Sequence, residues 1–386
     1  MKTIGLIIAF KHTNYGAQLQ AFATQRVIEM LGYDTKIIVC QEKNPLLTHT
    51  FGSGFLHHLI NSFISKRKLK KTRLNISDEV YLNNRKFRKL ASEQFIKNKL
   101  KGITYYNSYR KMTQEVQSMC AVLIGSDQMW PPGFCYRKID SLDFVPVGVK
   151  KISYATSLGV SEYPKYCRKM SGKIWQRMDC LSVREKQGAN IIQSICGDIP
   201  VEVVIDPTYL LSKQQWEEAI PNKKMSEKKY VFCYFLGNDD NSKQCARHFA
   251  DINGWELVSV LSDESYSPYD QQYADKLVQG ASPEDFINWI RGAEYIFTDS
   301  FHGLAFSVIN EKQFYVFYRK RTDVKLNRNS RIDNILFLWQ LEDRLLTDIN
   351  LDWKTFKNNR IDYNYVTAKV QAEREHSLTF LKQTLP

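Results

Sequence analysis

The stretch Phe297-Thr298-Asp299-Ser300-Phe301-His302-Gly303-Leu304 collects residue types that can do chemistry. His302 is the only side chain there that exchanges a proton near neutral pH. The apolar run 293–297 before it reads as a short buried strand, and 304–310 after it as a turn or two of helix. A strand–turn–helix junction leaves backbone N–H groups free at the helix start, where anions bind. Asp299 and Ser300 are good N-cap residues, and Gly303 lets a ligand or another backbone approach closely. A plainer reading stays open: His302 hydrogen-bonds the turn and Gly303 serves helix–strand packing. The position at a strand's carboxyl end brings a functional role level with that plainer reading.

Further polar groups sit at other strand ends. Asn14 and Gly16 lie in the loop between a first strand (3–10) and a helix (19–31) closed by Gly32. A glycine loop at the first βα turn is how phosphate-binding α/β domains begin, although this one is not GxGxxG. The strand 120–124 delivers Gly125-Ser126-Asp127-Gln128, where Asp127 either caps the next segment or meets an acceptor. The strand 180–183 ends at Arg184-Glu185, and Arg184 alone reads as a partner of a carboxylate. Asp206, before Pro207, reads as a strand end without a functional role. Arg331 opens a helix (330–338), an awkward place for a cation that favours an anionic partner.

The elements that would position these residues alternate strand and helix twice over. With 386 residues the chain exceeds one ordinary core. We read two domains: 1–212, α/β with a basic helical insertion near 44–112 that lacks strand alternation, and 213–386, α/β, its last helix (365–381) packing back on the first. Apolar residues at 43% and aromatics at 13% suffice for sizeable cores. The fold class expected is α/β, two doubly wound Rossmann-like domains facing a cleft. The eight Cys have neither CxxC pairing nor zinc-type His partners, which argues for reduced thiols and no metal site. No stretch reaches membrane-span length, so a cytoplasmic protein is expected.

Taken in order, these stretches resemble the polysaccharide pyruvyl transferase family. The matching pieces are Asn14-Tyr15-Gly16-Ala17-Gln18-Leu19-Gln20 with Leu31-Gly32-Tyr33, then Gly125-Ser126-Asp127-Gln128-Met129-Trp130. Tyr154-Ala155-Thr156-Ser157-Leu158-Gly159, Ser182-Val183-Arg184-Glu185, Val204-Ile205-Asp206-Pro207-Thr208, Thr298 to Gly303 and Asn329-Ser330-Arg331-Ile332 continue the match. The resemblance implies a GT-B-like fold. It implies transfer of the pyruvyl group of phosphoenolpyruvate onto two hydroxyls of a sugar in a bacterial surface polysaccharide or its lipid-linked precursor, giving a pyruvate ketal and phosphate. It also implies that Arg184 and His302 are the donor-site residues. Asn14, Gly16, Asp127, Ser300, Gly303 and Arg331 then become substrate-binding candidates.

That chemistry suits these residue types. Phosphoenolpyruvate carries a carboxylate and a phosphate, and Arg holds either in a bidentate fork where Lys cannot. Its C3 must gain a proton while a sugar oxygen attacks C2, so a positioned acid is required, and protonated His302 is the candidate. A helix start disfavours the imidazolium until a dianionic donor offsets it. No cofactor and no metal are needed.

Two other readings compete. A glycosyltransferase with a nucleotide-sugar donor would share the cleft, but no acidic grip on a ribose stands out. A non-enzymatic polyanion binder rests only on the net charge of +13 and on the run Lys66-Arg67-Lys68-Leu69-Lys70-Lys71-Thr72-Arg73. Nucleic-acid-binding motifs are missing, so nucleic acid is not an expected partner. The run is either a solvated helical face or a peripheral contact with an anionic inner-membrane surface.

Overall fold

The computed structural model describes residues 2–386 except 12, 53, 57, 61, 62, 64–77, 264, 320–328, 348–350, 357 and 358; the basic run 66–73 lies outside the described residues. Counting helices longer than one turn, the first half runs β1 (Thr3–Ile7), α1 (Tyr15–Met30), β2 (Asp34–Cys40), α2 (Glu79–Lys99), β3 (Ile103–Tyr106), α3 (Tyr109–Val116), β4 (Ala121–Ile124), β5 (Lys150–Ser153), α4 (Lys165–Trp175), β6 (Ser182–Val183), α5 (Lys186–Cys196) and β7 (Glu202–Val203). The second half runs α6 (Lys213–Ala219), β8 (Tyr230–Tyr234), α7 (Asp240–Asn253), β9 (Glu256–Val260), β10 (Lys276–Val278), α8 (Pro283–Gly292), β11 (Tyr295–Thr298), α9 (Phe301–Ile309), β12 (Gln313–Val316), α10 (Ser330–Trp339) and α11 (Tyr363–Thr384).

Each half holds one five-stranded parallel sheet, ordered β3-β2-β1-β4-β5 and β10-β9-β8-β11-β12. The two orders are equivalent, so two Rossmann-like, doubly wound domains are joined in a GT-B-like arrangement. The short parallel pair β6-β7 continues the first sheet through bridges Ile152↔Cys180 and Thr156↔Val183. The central strands are continuous apolar runs because helices cover both faces. All four residues of β4 are fully buried.

Helix α1 begins at Tyr15, earlier than the 19–31 reading, because the Asn14 side chain caps it by accepting from Ala17 N at 3.2 Å. It ends before Gly32, whose φ of +91° a glycine tolerates without a Cβ penalty. Two strands escaped the sequence reading. β3 falls inside the 44–112 segment, read as strandless, and β10 was not anticipated. Both are edge strands of three or four residues, too short and too partly exposed to show a pattern.

The halves are not held apart by a linker. One apolar core contains residues of both. Tyr15 stacks on Phe286 (centroids 4.8 Å apart), Phe22 meets Trp216 at 5.6 Å, and Trp216 meets Phe306 edge-on at 5.0 Å. Helix α11, last in the chain, reaches the first half: Ser377 Oγ accepts from Ile205 N at 3.1 Å, and Arg374 Nε donates to Tyr209 O at 2.7 Å. The carboxyl ends of β4, β5, β6 and β7 thereby meet the start of α9.

Candidate functional site

His302 lies in the first turn of α9, not in a turn ahead of it. The helix starts at Phe301 because Ser300 is its N-cap, its Oγ accepting from Gly303 N at 3.3 Å. Asp299 does not cap. Its carboxylate accepts from Leu236 N (2.6 Å) and Gly237 N (2.8 Å), tying the loop after β8 to the end of β11. The close approach that Gly303 permits is to Thr298: a Cβ there would stand 2.5 Å from Thr298 Oγ1. Gly16 serves a different approach. A Cβ on it would lie 1.9 Å from Nδ1 of His302, so the imidazole rests on the bare backbone at the start of α1. Two loops nearly three hundred residues apart thus form one wall. Asn14 contributes to it by fixing the start of α1.

Opposite the imidazole stand the strand ends of the first sheet. Arg184 follows β6 and Asp206 lies shortly past β7, the strand paired beside it, and Arg184 Nη1 donates to Asp206 Oδ2 at 2.6 Å. His302 Nε2 is 3.8 Å from that same Oδ2. Asp206 is otherwise saturated: Oδ1 accepts from Thr208 N and Thr208 Oγ1, and Oδ2 also from Ser126 Oγ at 3.2 Å. Asp127, with a left-handed φ of +65° that Asp tolerates better than most residues, sits between two guanidinium groups. Arg184 Nη2 is 3.7 Å and Arg331 Nη1 4.0 Å from its Oδ1. Phe301 lies under both cations, 4.3 Å from the Arg184 guanidinium carbon and 5.8 Å from that of Arg331.

The electrostatics follow from this packing. Burial opposes ionisation of Asp127, but Arg184, His302 and Arg331 outweigh it and hold the carboxyl below its usual range. Asp206 is likewise held low against burial, chiefly by Arg184 and then His302. Arg184 is held charged by Asp206, Glu185 and Asp127 against burial. His302 goes the other way. Burial, helped by Arg184 and Arg331, lowers it below the ordinary imidazole value despite Asp206 and Asp127. Among the described residues, His302 Nε2 and Arg184 Nε and Nη2 are buried without a hydrogen-bond partner.

Buried polar atoms without partners cost stability, so three of them converging from two domains mark a place where a ligand supplies what is missing. Its chemistry is set by the donors: guanidinium N–H groups for an anion, an imidazole for a proton. Among the described residues, no group of three His, Cys, Asp or Glu side chains is placed to hold a metal ion, and no helix is long and apolar enough to cross a membrane.

The structure brings together Asn14, Gly16, Asp127, Arg184, Ser300, His302 and Arg331. Of these, Ser300 reaches the site only as a cap. Gly303 serves the packing of α9 on β11. Sequence reasoning missed Asp206, which anchors Arg184, and Glu185 and Phe301, which flank it. For Asp206 a signal existed: it ends the strand that a parallel sheet would place beside the strand ending in Arg184.

The chain belongs to the polysaccharide pyruvyl transferase family, whose sequence profile matches residues 14–321. No curated protein matches the chain. Several solved structures resemble the chain at low identity. A UDP-GlcNAc 2-epimerase from Neisseria meningitidis bound to UDP-GlcNAc is 12% identical, with 99% of each chain covered and a TM-score of 0.46. A UDP-GlcNAc 2-epimerase from Methanocaldococcus jannaschii is 10% identical over 96% of this chain and 99% of its own, TM-score 0.47. The E. coli ADP-heptose lps heptosyltransferase II is 10% identical over 97% and 99%, TM-score 0.37.

Proposed function

We propose that the protein transfers the pyruvyl group of phosphoenolpyruvate onto two hydroxyls of one sugar, in a bacterial surface polysaccharide or its lipid-linked precursor, forming a cyclic ketal and releasing phosphate. The observation that carries this reading is that Arg184 Nε and Nη2 and His302 Nε2, all beside Asp206 and Asp127, are buried without a hydrogen-bond partner among the described residues. A small dianion with a carboxylate satisfies the guanidinium in a fork. Its arrival also reverses the electrostatics at the imidazole. The added negative charge favours the imidazolium, so the acid is loaded when the donor binds. His302 then protonates C3 as a sugar oxygen bonds to C2. Phosphate departs with the C–O electrons, and the second hydroxyl closes the ketal. Arg331 beside Asp127 offers a second cation for the phosphate. Asn14 and Gly16 keep the imidazole wall in place.

The test has two arms. Calorimetric titration should show phosphoenolpyruvate binding and Arg184→Lys weakening it about 10- to 100-fold, the loss of a bidentate charged contact. Phosphate release from phosphoenolpyruvate with a panel of sugars and lipid-linked sugars then identifies the acceptor. Thermal stabilisation by nucleotide sugars but not by phosphoenolpyruvate would instead select the glycosyltransferase reading. A cytoplasmic enzyme that meets a lipid-linked acceptor works at the inner membrane face, and the basic run Lys66–Arg73 is suited to it, at about 1 kcal/mol per cation near an anionic surface. Sedimentation with anionic liposomes at low salt and release at high salt, lost when those cations become Gln, is the expected behaviour.

A further inference from the structure

One buried carboxyl is not used by this scheme. Glu185 follows Arg184 at the end of β6 and is 5% exposed. Its Oε1 accepts from Ser157 Oγ, while Oε2 is buried and, among the described residues, has no hydrogen-bond partner. No Lys or Arg lies within ion-pair distance of it among those residues, although Arg184 is its sequence neighbour. Glu185 precedes α5 without capping it. A buried carboxyl with an idle oxygen is costly, and none of these contacts gives a structural reason for it.

Its location gives a functional one. Asp127 pairs with Thr156, and Thr156 with Val183, so the residues after them stand side by side at the carboxyl ends of β4, β5 and β6. Ser157 N donates to Asp127 O at 2.8 Å. The Ser157–Glu185 pair therefore adjoins Asp127 on the sheet side of the site. The charges that act on Glu185 are Arg184 after β6, Arg331 on α10 and Asp127 after β4.

Proton accounting leaves a role for a group there. Each turnover frees two hydroxyl protons. One is delivered to C3, and an imidazole that gives one proton and takes one back has done all it can. The second hydroxyl proton needs another acceptor before it leaves with phosphate. Asp206 has both oxygens occupied. Asp127 lies between two guanidinium groups that stabilise its charge and weaken it as a base. Glu185 remains.

We propose that Glu185 is the second proton acceptor of the reaction, its free Oε2 taking the proton of one acceptor hydroxyl as that oxygen bonds to donor C2. The O–H bond breaks, its electron pair forms the C–O bond, and the carboxyl holds the proton until the departing phosphate removes it. Burial is the largest influence on this carboxyl and raises it above its ordinary value, against Arg184, Ser157 and Arg331, which makes it the stronger base of the three. The assignment rests on the donor reading above.

The experiment measures phosphate release from phosphoenolpyruvate with the acceptor panel, as a function of pH, for the parent, Glu185→Gln and Ser157→Ala. Glu185→Gln keeps the shape and the contact with Ser157. It should lower turnover by about 10²–10⁴, leave the calorimetric phosphoenolpyruvate affinity within about twofold, and abolish the fall in rate on the acid side. Ser157→Ala removes a contact that stabilises the carboxylate, so its acid limb should move to higher pH. A merely structural Glu185 would shift neither limb. Turnover within about fivefold of the parent in Glu185→Gln, with an unchanged acid limb, overturns the assignment of Glu185 alone. A parent that neither binds phosphoenolpyruvate nor releases phosphate from it overturns the donor reading, and this inference with it.

Discussion

A single methyl group decides whether His302 can work. Its ring lies against Gly16, where a Cβ would intrude to 1.9 Å from Nδ1. Gly16→Ala is therefore expected to push the imidazole out of line while leaving the helix start intact, since Ala is at home in α1. Misplacing a catalytic group by about 1 Å costs on the order of 10² in rate. Turnover should drop that far with the melting temperature nearly unchanged; full activity would mean that the imidazole is not the acid. The imidazole also predicts a split in the pH profile. In the free protein it is held below its ordinary value, chiefly by burial. Because the acid must be protonated, kcat/KM for the donor should fall as pH rises through that low value. The bound dianion raises the value in the complex, so the corresponding fall in kcat should lie at higher pH. Coincident limbs for kcat and kcat/KM would show that the donor does not load the proton. Of this constellation, His302, Gly16, Asp127 and Arg331 stood out in the sequence by their places at strand ends and helix starts, and Arg184 only through the family resemblance. Glu185 and Asp206 occupy strand ends too, but their significance lies in which atoms burial leaves idle or saturated, and that depends on packing between elements.

Among the elements, α2 has a role that its sequence hides. Read as part of a basic insertion, it is a strap between the domains. Arg88, fully buried on it, donates to Thr13 O (2.8 Å), Leu261 O (3.0 Å) and Tyr234 OH (2.9 Å), and its guanidinium carbon lies 3.7 Å over the Tyr15 ring. One helical turn earlier, Asn84 accepts from Gly280 N at 2.9 Å and donates to Leu261 O and Ser262 O. Every partner except Thr13 and Tyr15 belongs to the second domain. Arg88→Ala leaves several buried acceptors unmatched and removes the stacked cation, so a loss of roughly 3–5 kcal/mol is expected. Urea unfolding measures it, and a loss below about 1 kcal/mol would show that the strap is dispensable. A cation in a Lys- and Arg-rich helix looks like solvated charge; only the fold shows Arg88 to be different from Arg85 or Lys89, which no burial pattern in this short-range sequence distinguishes. The long buried strands were readable because covered parallel strands are continuous apolar runs. The edge strands β3 and β10 were not, because partly exposed residues interrupt the apolar run.

At the scale of the molecule, the two Rossmann-like domains behave as one body. A cleft protein of this architecture needs its halves positioned so that groups from both meet, and here the candidate site is split between them: Gly16 and Arg184 from the first, His302 and Arg331 from the second. What fixes the geometry is a shared interior. Tyr15, Phe22, Trp216, Phe286 and Phe306 lie in one apolar core that crosses from α1 through α6 to α8 and α9. Helix α11 closes the other side through Ser377 on Ile205 N. Separating the halves would expose these rings, each contributing about 2–3 kcal/mol of burial, a cost that exceeds what an ordinary transient domain interface carries. Unfolding should therefore be a single transition: tryptophan fluorescence, to which seven residues spread over both halves contribute, and far-ultraviolet circular dichroism, which reports both sheets, should give coincident urea midpoints. The fragment 1–212, lacking α6 and α11, should not fold to a soluble state. Two separated transitions, or a stable soluble fragment, would mean that the domains hold themselves together and that the catalytic wall is assembled only when the donor bridges it.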